Sequence, residues 1–179
     1  MKDPSWPILC LLIQRLRELE SWTGETHVQK AAFALERLAG LEWDMGFIIY
    51  KYGPFSFRLR EQLGELRAWG YLEIEYSADG YGARHSLTAS GKQLAASASL
   101  PSEVLNLVAE RLGPLGVKDL EKLATALFWL TEPSCPADGL QEQMKASKPH
   151  LTEAEIAAAL REAKELLDSR CEAARPLQT

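Results

Sequence analysis

The sequence predicts an α+β chain, with a winged helix-turn-helix arrangement over residues 1–97, a small all-α region over 102–170 and a disordered tail over 171–179. Three observations carry that expectation. Between Gly46 and Gly70 the chain reads as a short apolar strand, a stiff Gly53-Pro54 bend and an amphipathic helix, GFIIYKYGPFSFRLREQLGELRAWG. A hairpin pattern with a glycine-rich tip follows at once, YLEIEYSADGYGARHSLT. Beyond the linker SASLPS at 97–102 the strand signal stops and helical periodicity alone remains.

Residues 5–20 read as a first helix, with Ser5 as its cap and Ile8, Leu12, Leu16 and Leu19 as its apolar stripe. Pro7 falls in the first turn, where no N–H is required. Thr26 is expected to cap a second helix, HVQKAAFALERL, whose Ala31, Ala32 and Ala34 let a neighbouring helix approach closely. The interval from Leu38 to Ser56 is too long for a simple helix-turn-helix turn, so an inserted strand at 46–52 is expected there. In the bend motif Tyr52, Gly53, Pro54 and Ser56, Gly53 can take a positive φ and Pro54 keeps it out of the helical region. Ser56 can then accept from the first-turn N–H groups of a helix at 57–69, with Leu59, Leu63 and Leu66 as its buried stripe. Phe55, just before the cap, is expected to be buried as a staple.

In the hairpin, alternation puts Leu72, Ile74 and Tyr76 on one side and Glu73 and Glu75 on the other. Asp79-Gly80 marks the tip, and His85 falls on the side expected to face water. Thr88 caps a brief helix, ASGKQLAAS. Helices follow at 102–112, 117–131, 138–146 and 152–169, divided by Gly113-Pro114 and Pro133 to Pro136. Thr152 with Glu155 forms a capping box, and Leu151 with Ile156 its staple.

The 179 residues are 46% hydrophobic and 25% charged, the balance of a globular protein that can bury a core. No apolar run approaches the roughly eighteen residues of a membrane span, and no signal peptide is read, so a cytoplasmic setting is expected. Cys10, Cys135 and Cys171 form no paired motif, and His27, His85 and His150 share no ligand spacing with them. Neither a disulfide framework nor a metal site is expected. There is no phosphate-binding glycine loop and no nucleophile with a placed base, so neither an enzyme nor a cofactor is expected. A net charge of −5 is a poor start for binding a polyanion.

Counting about 100° per residue from Leu59, the crest of the helix at 57–69 carries Phe57, Arg58, Glu61, Gly64, Glu65 and Ala68, with Arg60 and Arg67 on a flank. A helix that reads DNA needs donors there; Glu61 and Glu65 would meet phosphates instead. The face therefore stands open to three readings: a solvated surface, a protein-binding face or a DNA-binding one. Tyr81 and Arg84 near the hairpin tip carry the same choice, since a wing arginine can enter a minor groove and Tyr with Arg can anchor a protein interface. Of Tyr50 and Tyr52, strand alternation should bury one. Trp6, Trp22 and Trp43 suit either burial or a homodimer seam.

Three runs carry a resemblance: GETHVQKAAFALERL, YKYGPFSFRLREQLGELRAWGYLE and HSLTASGKQL, joined by LEKLATALFWL and KPHLTEAEIAAAL. Together they resemble the YwgA-like winged-helix family over most of residues 24–165. More distantly, the tyrosine-glycine-proline bend before the helix is similar to that of Panacea-domain (SocA-like) proteins, many of which act as antitoxins or proteolytic adaptors. The resemblance brings no catalytic residues. It implies a non-enzymatic regulatory module that binds a partner protein, with a dimeric winged-helix DNA-binding regulator as the alternative.

Overall fold

The computed structural model describes residues 3–76 and 82–173. Over them the chain is mixed α+β, mostly helical, with two small antiparallel sheets of two strands each. Helices α1 (Trp6–Glu18) and α2 (Glu25–Ala39) lead to a first hairpin, β1 (Ile48–Tyr50) and β2 (Gly53–Phe55). Next come α3 (Phe57–Ala68) and a second hairpin, β3 (Leu72–Tyr76) and β4 (Ala83–Leu87). The chain continues through α4 (Ala89–Ala95), α5 (Ser102–Leu112), α6 (Val117–Thr131), a 3-10 turn at Ala137–Gly139, α7 (Leu140–Ser147) and α8 (Glu153–Ala173). Residues 77–81, with the expected Asp79-Gly80 tip, and the tail from 174 onward lie outside the described residues.

Where a cap is strong, the expected start holds. Thr152 N–H donates to Glu155 Oε2 at 2.9 Å and Glu155 N–H donates to Thr152 Oγ1 at 3.3 Å, the reciprocal pair of a capping box. Two other caps differ. The Ser5 backbone is itself helical, and its hydroxyl donates to Asp3 Oδ1 at 2.6 Å instead of capping α1. Helix α2 starts earlier than Thr26, with Gly24 at the N-cap and Glu25 in its first turn, where a carboxylate favours the helix dipole.

The expected strand at 46–52 is shorter and folds back on its own continuation. Ile48 pairs with Phe55, Ile49 with Pro54 and Tyr50 with Gly53. The hairpin turns at Lys51 and Tyr52, and Gly53-Pro54 lies inside β2, so the expected bend does not hand a strand directly to a helix. Pro54, which has no N–H to give, is tolerated because this sheet has only two strands and both are edges. The two hairpins do not join into one sheet. In the second, Leu72 is buried, but Tyr76 points to solvent. His85, expected to be exposed, is buried because the α1–α2 connection lies against β4. There His85 N–H donates to the Thr23 carbonyl at 2.9 Å, and the Thr23 hydroxyl donates back to the His85 carbonyl at 2.6 Å.

Helix α2 runs through the middle of the protein, with ten of its 15 residues buried. Helices α1, α3, α5 and α6 and strand β2 pack around it. One apolar cluster extends from Leu9 and Leu12 on α1 through Phe33 on α2 and Leu63 on α3 to Leu127 on α6 and Leu166 on α8. The N-terminal elements and the C-terminal helices therefore share a core, and α6 covers a side of α2 that would otherwise face water. None of the described helices is long and apolar enough to cross a membrane.

Candidate functional site

The junction between the first hairpin and α3 is tied to α2 by a side-chain amide. Buried Gln29 donates from Nε2 to the Ser56 carbonyl and accepts the Ser56 N–H on Oε1, both at 2.9 Å. The Ser56 hydroxyl accepts from Leu59 N–H at 2.9 Å, capping α3, and donates to the Met45 carbonyl. Every polar group of this buried residue is used internally, as burial demands. At the other end of β2, Gly53 has φ +95°. A Cβ there would stand 2.6 Å from Thr125 Oγ1 on α6 and 3.8 Å from Lys30 Cε on α2. Gly53 is therefore required twice, by its backbone and by the helix against it.

Between α2, this hairpin and α3 lies a pocket of about 230 Å³, lined among others by Thr26, Gln29, Lys30, Tyr52, Phe55 and Arg60. Lys30 is 2% exposed. Burial pulls its ammonium down from the ordinary 10.5 to about 8; Glu121 and Glu25 oppose that and Lys148 adds to it. Both carboxylates already have partners. Glu25 Oε1 is 2.6 Å from Arg60 Nε, and Glu121 Oε2 is 3.2 Å from Lys148 Nζ. Among the described residues no hydrogen bond or ion pair reaches the Lys30 ammonium. Two closed ion pairs thus flank one cation on the pocket wall that has no ion pair of its own among the described residues.

The pocket has an aromatic rim. Phe55 is buried, as its place before the cap predicts, under Arg60, whose guanidinium lies 4.6 Å from the ring centroid. Tyr50 and Phe57 stand 5.7 and 5.0 Å from Phe55, and 5.7 Å from each other. Alternation should have buried Tyr50 or Tyr52, but neither is buried, because β1 ends at Tyr50 and Tyr52 falls in the turn. Ile48, Tyr50, Phe57 and Tyr52 are 47%, 45%, 50% and 63% exposed. Exposed aromatic side chains grouped in this way are a feature of interaction sites.

The crest of α3 is exposed as expected, but its cations are engaged. Arg58 reaches Asp3 Oδ2 at 3.3 Å and the Asp44 carbonyl at 3.1 Å, and Arg60 is held by Glu25. Glu61, Glu65 and Arg67 face solvent, with no ion pair among the described residues. On the second hairpin, Arg84 Nε lies 2.9 Å from Glu75 Oε2, which Arg17 also holds at 3.0 Å. Tyr81 lies outside the described residues. Thus Tyr52 and Arg60 come together at the pocket, Phe57 stands against its Phe55, Glu61 and Glu65 lie along the crest, and Arg84 belongs to a separate ion cluster.

No protein-family model matches the chain, and no curated protein matches it either.

Sequence reasoning did not find Lys30, Gln29 or Glu25. In QKAAFAL a glutamine and a lysine read as the wet side of an amphipathic helix. Their burial comes from the hairpin and α6 closing over that side. The one local signal was the alanine run after them, which marks a helix approached from several directions.

Proposed function

We propose that this chain is a non-enzymatic regulatory module that binds a partner protein through its first hairpin and the start of α3, in an antitoxin- or adaptor-like role. The observation that carries the reading is the set of exposed side chains Ile48, Tyr50, Tyr52 and Phe57 on and beside the first hairpin, two of which, Tyr50 and Tyr52, line one pocket. Aromatic residues beside an arginine are the usual anchors of protein interfaces. The order of two helices, a hairpin, α3 and a second hairpin supports a winged-helix reading of residues 1–97, and the resemblance to YwgA-like and Panacea-domain proteins supports the regulatory role. A cytoplasmic setting belongs to the same proposal. It is supported by Cys10, a buried thiol that burial pushes up to about 12 and so keeps unreactive.

The rival, a DNA-binding regulator, needs free cations on α3 to neutralise phosphates. Two of its three arginines, Arg58 and Arg60, are neutralised internally, and Glu61 and Glu65 point outward.

Crosslinking separates the two readings. A photoreactive benzophenone residue is placed at position 57, 76 or 65 of the full chain, and the protein is irradiated in its native cells. The protein-binding reading expects one discrete protein adduct at position 57 and none at 76. Adducts to nucleic acid at 65, with none to protein at 57, would overturn it.

A further inference from the structure

We propose that the pocket beneath the first hairpin is a receptor for a carboxylate, the C-terminal carboxylate of a partner chain ending in an apolar residue, with the Lys30 ammonium as its counter-ion. The charge balance points there first. Glu25 with Arg60 and Glu121 with Lys148 are complete pairs, which leaves Lys30, among the described residues, as one spare positive charge on the pocket wall. A buried charge without a partner is a standing liability, and an incoming anion relieves it. The spare charge is single, which selects a monoanion. A phosphate dianion would set its second charge against Glu25 and Glu121. Thr26, on the same lining, brings a hydroxyl that can donate to the same group.

Size and polarity narrow the carrier. A pocket of about 230 Å³ lies below the roughly 300–1,000 Å³ of sites for larger ligands and suits one residue. Its wall carries Phe55 and the tyrosines of the hairpin. A terminal residue brings a carboxylate and an apolar side chain on one carbon and enters end-on. An internal glutamate brings a short methylene stem and must lead its main chain out on both sides. The peptide nature of the carrier rests on the protein-binding reading above; the preference for a monoanionic carboxylate does not.

Calorimetric titration of the full chain tests this with 3-phenylpropionate, its neutral amide and inorganic phosphate. The same titration is then made with a short peptide ending in a free phenylalanine, the same peptide amidated, and an end-blocked peptide with an internal glutamate. The acid is expected to bind at least about tenfold tighter than the amide, with phosphate weaker than the acid. The free-ended peptide should bind, and the amidated and internal-glutamate peptides should not. Lys30→Met should lower the acid's affinity by about tenfold or more while circular dichroism shows an intact fold. The carbon-13 shift of Lys30 Cε on adding the acid gives a readout that needs no variant. Equal affinity for acid and amide, tighter binding of phosphate, an unchanged affinity in Lys30→Met, or a silent Lys30 resonance would overturn the site. Tighter binding of the internal-glutamate peptide would overturn the terminal assignment. None of these outcomes alters the crosslink at position 57, by which the protein-binding reading stands or falls.

Discussion

Both hairpins are two-stranded and antiparallel, and both carry a glycine of positive φ, Gly53 at +95° and Gly82 at +87°. They differ in what surrounds them. Around the second hairpin the charges close on themselves: Glu75 is shared by Arg17 and Arg84, and the Arg84 guanidinium also lies over Trp22. Around the first hairpin the Lys30 ammonium has no ion pair among the described residues, and four large apolar side chains face water. A folded chain has every physical reason to satisfy buried charge and cover apolar surface. Where it does neither in one place, an external partner is the economical explanation.

The two glycines give the largest contrast. Gly53→Val must strain the backbone and drive a side chain into Thr125, and is expected to cost about 4 kcal/mol. Gly82→Val meets nothing within 4 Å and should cost only backbone strain, about 1 kcal/mol. Urea denaturation of both variants checks the pair. Equal losses would mean that the first hairpin is not pressed against α6.

The clamp comes next. Gln29→Leu leaves the Ser56 N–H and carbonyl without their amide partner in a buried site, an expected loss of about 3 kcal/mol. Its counterpart on the second hairpin is Arg84→Ala, which removes a partly exposed ion pair and should cost less than about 1 kcal/mol. If the arginine variant melted lower than the glutamine variant, the ranking of the two hairpins would be reversed.

These contrasts also show what sequence can and cannot reveal. Helix ends with strong local chemistry were legible: Ser56 caps α3, and the Thr152–Glu155 box starts α8. The positive φ of Gly53 was legible too, but its place inside β2 of a hairpin was not. What escaped was everything set by long-range packing. Lys30 and Gln29 look solvated until α6 and the hairpin cover them. His85 looks exposed until residues 21–24 lie against β4. Conversely, Tyr50 and Tyr52 look half-buried only if β1 runs through the turn, and it does not. A charged residue's burial depends on partners far away in sequence, so no window around Lys30 shows that it is unpaired.

A stability effect of the opposite sign is the most informative about function. The Lys30 ammonium sits near 8 in the folded chain and near 10.5 when unfolded, so between these values the unfolded chain holds more protons. Stability must therefore rise with pH over that window, and below pH 8 the full cost of burying the charge is present. That cost is at most about 3 kcal/mol. Lys30→Met removes it while giving up some fit, and is expected to stabilise the protein by about 2 kcal/mol at pH 7, with the gain shrinking toward pH 10.5. A gain that does not change with pH would mean that Lys30 titrates normally.

The unpaired state of Lys30 is open to direct observation. In protein labelled with carbon-13 at lysine Cε, the resonance of this one lysine, assigned by its absence in Lys30→Met, is followed from pH 6 to pH 11. The midpoint is expected close to 8 in the free protein and higher when 3-phenylpropionate is added, because a bound carboxylate favours the charged amine. A midpoint near 10.5 in the free protein, or one that stays fixed when the carboxylate is present, would contradict this.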